Sequence, residues 1–294
     1  MIVFWAVVLT CALLFIASWI DLMTGEIPDR ITKTLFGGLL LFSAAAAFVN
    51  RDPFMFTTPF IVGACFFIVS AILFFLGQWG GGDVKITAGV GVLLGLVSRM
   101  GYVWPNMDLT PYYLAYWMNM AFISIPYVAV YTLVLGFMRP NVFKQFLKNI
   151  REHRTLFLIG FSFIPSLLSI ILAIPNATGL YLMLPVFTVG TVYLKTCERE
   201  ALMKEIPVSG LSEGDILAQD LVVGGKKLFS KRNIEGLTSE DVERIICLAG
   251  RGDISENITI RWGVKFAPIL MFALLATIYL GSIFEILFGL LVGA

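Results

Sequence analysis

Apolar runs of about 18 residues or more recur along this 294-residue chain, and each is long enough to cross roughly 30 Å of hydrocarbon. That length requirement narrows the fold before any motif is read. Charged residues make up 14% of the chain, against about 25% in an ordinary soluble domain, so the surface is not mostly wet. A soluble enzyme and a disordered scaffold are both excluded. A transmembrane barrel is excluded too, because alternating strands would not give unbroken apolar runs. The pattern predicts an all-α polytopic membrane protein of about eight transmembrane helices, with a small α+β domain before the last of them.

The spans are expected at about 2–21, 33–49, 58–77, 84–100, 112–138, 155–174, 178–195 and 264–292. The sixth and seventh are parted only by Ile174-Pro175-Asn176-Ala177, where Pro175 and the nearby Gly179 suit a tight reversal. Orientation follows from the basic residues. With the N-terminus outside, every one of the 21 Lys and Arg residues except Arg51 and Arg99 falls in a cytoplasmic loop. No basic residue precedes the first apolar stretch, so Met1–Ile20 reads as a transmembrane helix and not as a signal peptide. The chain is therefore expected in the cell membrane, with both termini extracytoplasmic.

Residues 1–195 are read as the helix bundle, 196–262 as a cytoplasmic domain and 263–294 as the last helix. Within the bundle, Asn141–Arg154 sets Phe143, Phe146, Leu147 and Ile150 on one face with Lys144, Lys148 and Arg151 between them. This is a basic amphipathic helix suited to an anionic leaflet. In the cytoplasmic domain, Gly224-Gly225 between two short apolar runs signals a hairpin. Thr238-Ser239-Glu240-Asp241 signals a capping box, opening a helix with Val242, Ile245 and Ile246 on one face. The four cysteines lie far apart without a CxxC, which gives neither a zinc site nor a disulfide framework.

A carboxylate at membrane depth is costly, so Asp21, Asp83 and Glu285 stand out. Asp21 ends the first span and Asp83 opens the fourth, which puts both at the cytoplasmic side and at one depth. Two carboxylates at close range do not both ionise cheaply; one keeps its proton and the pair titrates as a unit. That is the working state of an aspartyl protease, where one member takes a proton from water and the other donates to the scissile carbonyl. The plainer reading makes each acid a helix cap, which suits Asp83 at a helix start better than Asp21 at a helix end. Gly80, Gly81 and Gly82 precede Asp83, permitting unusual φ and close approach by another chain. Ala88, Gly89, Gly91 and Gly95 then give that helix a small-residue surface for tight packing.

Gly80-Gly81-Gly82-Asp83 with Lys85 resembles the GxGDxK signature of type IV prepilin peptidases. Asp21 followed by Ile27-Pro28-Asp29-Arg30 resembles that family's first-helix pattern, although Asn is more usual at position 29. The later segment Ser209–Leu217, with Arg261-Trp262-Gly263 entering a last span, looks like the archaeal branch that includes preflagellin peptidases. The resemblance implies a membrane aspartyl endopeptidase of the GxGD type, with Asp21 and Asp83 catalytic. It would remove a short basic leader from prepilins or preflagellins at the cytoplasmic face. Bacterial members add a cysteine-rich insertion and methylate the new terminus; neither insertion nor clustered cysteines occur here, so no methyltransferase activity is expected. The implied partners are prepilin or preflagellin substrates and the lipid bilayer, with no nucleic acid, no cofactor and no metal.

Glu26 and Asp29 lie beside the site as candidate partners for a basic leader. Lys85, two residues past Asp83, points to another face of the helix and is expected to snorkel or pair with an acid. Glu285 is expected to be satisfied structurally. Two other readings share these features. A presenilin-like intramembrane protease also uses GxGD, but its first Asp sits in mid-helix after a Tyr, whereas Trp19-Ile20 precede Asp21 here. A transporter would also bring acids to broken Gly-rich helices, but nearer the midplane and with related halves.

Overall fold

The computed structural model describes residues 1–103, 105–172, 181–212, 214–223, 226–230, 236–261 and 263–292. Twelve α-helices are formed by these residues: α1 Ile2–Thr24, α2 Asp29–Asn50, α3 Phe54–Phe75, α4 Gly81–Arg99, α5 Tyr112–Met138, α6 Pro140–Ile150, α7 His153–Ser162, α8 Ile164–Ile171, α9 Met183–Glu200, α10 Ser239–Gly250, α11 Ala267–Tyr279 and α12 Ile283–Val292. Five of them, α1 to α5, are individually long and apolar enough to span a membrane, and α7 with α8 makes a sixth span. A seventh arises if α11 and α12, bent by 62° at their junction, count as one. The expected count of eight is therefore not reached among the described residues. The reversal at Pro175 lies outside them, and α9 carries Lys195 and the charged run Glu198–Glu200, which lowers its apolarity.

The chain divides into two compact units, Met1–Tyr127 with Gly263–Ala294, and Val128–Trp262. In the first, α4 is the central helix, packed against α1, α2, α3 and α11. Every residue from Asp83 to Val97 except Lys85 is buried. Small residues are what make this possible. A Cβ at Gly95 would lie 2.7 Å from Pro59 Cα in α3, and one at Gly91 would lie 2.7 Å from the Phe66 ring. Without a strong hydrophobic drive between helices in lipid, such backbone proximity supplies the dispersion contact that holds them together.

The last apolar stretch, expected as one helix over 264–292, starts at Ala267 and breaks at Leu280–Ser282. Gly281 has φ +81°, and a Cβ there would strike the Pro105 carbonyl. The backbone groups freed by the break find side chains. Asn119, wholly buried on α5, donates to the Gly281 carbonyl at 2.7 Å and to Thr277 Oγ1 at 3.0 Å, and accepts from the Ile283 N–H at 2.9 Å. Glu285 accepts the N–H groups of Asp108, Leu109 and Thr110 at 2.8, 3.2 and 2.6 Å. Its role is structural: it caps the turn before α5.

In the second unit, α6 and α7 pack on α9. The face of α6 that docks on α9 lies beside the apolar stripe expected to face a leaflet. Val142 is buried with Cys197 and Ala201, Phe146 meets Tyr193 edge-on at 5.1 Å, and Asn149 donates to Thr196 at 2.9 Å. Phe143 and Leu147, in the expected leaflet stripe, stay exposed. Further on, β1 Met203–Pro207 and β2 Ile216–Leu217 both pair antiparallel with β5 Asn257–Arg261 in the order β1-β5-β2. β3 Leu221–Val223 and β4 Lys226–Phe229 form the expected antiparallel pair around Gly224-Gly225, which lie outside the described residues. Thr238 and Asp241 form a reciprocal capping box at the start of α10. Ile245 enters the core of this domain with Val208, Leu217 and Ile258, whereas Ile246 remains exposed.

Asn119→Leu leaves the Gly281 carbonyl and the Ile283 amide without partners in a buried place. We expect a loss of about 2 kcal/mol or more, read as a lower thermal midpoint of the detergent-solubilised protein. An unchanged midpoint contradicts the clamp.

Candidate active site

Asp21 lies in the last turn of α1, which stops at Gly25 in a left-handed conformation (φ +84°). The chain then runs extended through Ile27-Pro28 into α2, as a residue before proline prefers. Asp21 is 5% exposed, and its Oδ2 accepts the Ala267 N–H at 3.1 Å, the first amide of α11. A carboxylate that ends its own helix is thus served by the N-terminus of another, where amide donors and dipole both favour negative charge.

Asp83 is 9% exposed in the first turn of α4. Its Oδ2 reaches back to accept the Gly80 N–H at 3.1 Å, the reciprocal half of a capping arrangement. Asp83 is therefore a helix cap and a buried neighbour of Asp21 at once; it lies within range of the Asp21 charge. α1 and α4, which carry them, pack directly together.

The three glycines differ in their tasks. None has a positive φ, so the unusual backbone expected there is not what they provide. Gly82 gives close approach: a Cβ on it would lie 2.9 Å from Ile27 Cβ. Gly81 faces open space, and a Cβ on Gly80 would make ordinary contact with Asp83. The small residue at 82 thus lets the Ile27-Pro28 segment lie against the start of α4, which joins the two sequence motifs in space.

Asp29 is exposed at the head of α2 and paired with Lys33 at 3.1 Å and with Lys85. Lys85 thus pairs with an acid and turns away from the buried carboxylates. Glu26 lies in the turn between α1 and α2, where its charge acts on Lys265.

Several neighbours were not legible as site residues. Trp79, just before the glycines, packs against Phe266 at 5.1 Å and stacks on Trp117 at 5.9 Å. Tyr116 is wholly buried, and its hydroxyl is within range of the Asp83 charge. Ser18 and Thr87 stand one turn from Asp21 and Asp83. Buried helical hydroxyls elsewhere, at Thr10, Ser43, Ser70 and Thr277, turn back to the carbonyl four residues earlier. The hydroxyl of Ser166 on α8 makes no hydrogen bond among the described residues, and neither do those of Ser18, Thr87 and Tyr116. Beside the carboxylates the last three leave donors available for a polar guest. The described residues hold no cluster of three or more His, Cys, Asp or Glu side chains fit for a metal ion.

Gly82→Ala is expected to cost about 1–3 kcal/mol by overpacking against Ile27, whereas Gly81→Ala leaves stability unchanged or slightly raised. Thermal unfolding of the two variants in detergent tests this; equal midpoints contradict the assignment of close approach to Gly82.

Residues 8–138 match the type IV leader peptidase family. The segment spans both aspartates and all three glycines. Over 94% of its length the chain is also 25% identical to prepilin peptidase EppA of Methanothermobacter thermautotrophicus, 94% of which is covered. No solved structure matches the chain with significance.

Proposed function

We propose that this chain, whose residues 8–138 match the type IV leader peptidase family, is a membrane aspartyl endopeptidase that removes a short basic leader from prepilin-like or preflagellin-like proteins. The observation that carries this reading is the pair of buried carboxylates, Asp21 and Asp83, at the ends of two packed helices inside the matched segment.

In the proposed mechanism the carboxylate member of the pair takes a proton from water. The resulting hydroxide attacks the scissile carbonyl carbon while the protonated member donates to the carbonyl oxygen. Collapse of the tetrahedral intermediate returns a proton to the leaving amine and restores the pair. The hydroxyls of Ser18, Thr87 and Tyr116 offer donors for the water and for carboxylate oxygens. The substrate's apolar helix lies in the bilayer beside α1 and α4, with its leader in the cytoplasm, as the distribution of basic residues suggests. Glu26 and Asp29 serve as leader contacts. Asp29 would exchange Lys33 or Lys85 for a leader cation, and a swap between exposed ion pairs costs little. Position at a helix end, and not in mid-helix, favours cleavage at the membrane surface over cleavage within a transmembrane segment.

The test is cleavage of a membrane-inserted prepilin with a basic leader by wild type, Asp21→Asn and Asp83→Asn, each checked for normal insertion. We expect either substitution to lower the rate by about a thousand-fold or more. Full cleavage by both variants would overturn the two-carboxylate mechanism and return both acids to the role of helix caps.

A further inference from the structure

Among the described residues, Lys265 is the one buried basic side chain, at 8% exposure. It sits in the short segment that leads into α11, two residues before the amide that Asp21 accepts. Several contacts fix this segment. The Tyr127 hydroxyl donates to the Lys265 carbonyl at 2.8 Å, the Phe266 ring packs on Trp79, and Pro268 starts the helix. The ammonium lies against the end of α1, where a Cβ on Gly25 would collide with Nζ. Gly25 is needed for its left-handed φ, and its bare Cα also leaves the space that the lysine end occupies.

A buried amine keeps its proton at low cost only where negative charge compensates it. The charges that face Lys265 are Asp21 from α1 and Glu26 from the turn after it. Those that face Asp21 are Lys265 and, from α4, Asp83. Tyr116 on α5 faces Asp83. The two carboxylates are therefore unlike. Each accepts a backbone N–H at a helix N-terminus, Asp21 from α11 and Asp83 within its own α4; what sets Asp21 apart is the Lys265 charge within electrostatic range, whereas Asp83 has the buried Tyr116.

We propose that Lys265 is a positioning residue that makes the two aspartates unequal, holding Asp21 as the carboxylate that takes the proton from water and leaving Asp83 as the acid. Asp21 takes the first proton as the C–O bond forms, and Asp83 gives its own to the carbonyl oxygen. When the C–N bond breaks, Asp21 passes its proton to the departing amine and Asp83 recovers one from the collapsing hydroxyl. No further reactant is needed. The inference rests on the peptidase reading and extends it to a residue outside the family-matched segment.

The experiment is a pH–rate profile of leader cleavage for wild type, Lys265→Met, Lys265→Gln and Lys265→Arg, with Asp21→Asn as the inactive control. Without the ammonium, the proton on Asp21 is lost only at higher pH, so the neutral variants should have an acid-side midpoint raised by about one pH unit or more. Their rate below that midpoint should fall about ten-fold. Lys265→Arg should retain the wild-type midpoint. Neutral variants that keep the wild-type midpoint, whatever their yield or thermal stability, would reduce Lys265 to a packing role and overturn the proposal. Absence of cleavage by wild type, or normal cleavage by Asp21→Asn, would instead overturn the peptidase reading itself.

Discussion

The hydrogen bond from the Ala267 amide to Asp21 ties together parts of the chain that are 246 residues apart, and the arrangement of the first unit depends on it. A carboxylate at the C-terminal end of an apolar helix meets an unfavourable dipole from its own backbone. Here it is compensated by the opposite pole of α11. That requires α11 to begin at the depth where α1 ends. It also requires a helix that starts abruptly, as Pro268 ensures, and an anchored approach, which Tyr127 and Trp79 provide.

Asp83 meets the same demand by local means, reaching back to Gly80 within its own first turn. What remains is to bring α4 to α1, and the glycine-rich surface of α4 does this. Because α4 is enclosed by α1, α2, α3 and α11, its first turn is held from several sides, and a side chain on that turn has little freedom to drift. Rigid placement of the carboxylates is what acid–base chemistry on a bound peptide requires.

The two motifs were legible because they rest on residues whose cost in a membrane is high: unpaired acids at helix ends, and glycines that sacrifice packing surface. The first five helices were legible for the simpler reason of length and apolarity. Lys265, Phe266 and Ala267 were not. A lysine before an apolar run reads as a membrane-edge charge, and a backbone amide carries no sequence signature at all. The break at Gly281 was hidden as well, since a single glycine in an apolar run signals nothing until Asn119, on another helix, is seen to satisfy the freed groups. The docking face of α6 could not be read either. Its periodicity fits two neighbouring stripes, and only the surface of α9 selects between them. The φ freedom expected of Gly80–Gly82 went unused because those residues sit in ordinary extended and helical conformations; the close approach expected of them is real at Gly82.

The central claim is that Asp21 and Asp83 act on one guest as a single site. The most direct test is binding of a leader peptide whose scissile amide is replaced by a hydroxyethylene isostere, whose hydroxyl mimics the tetrahedral intermediate. Titration of this peptide into the purified protein should give one site per chain, with affinity lost on substitution of either aspartate by asparagine. Binding that survives both substitutions would contradict the account, because a hydroxyl held between two carboxylates cannot be indifferent to the removal of each.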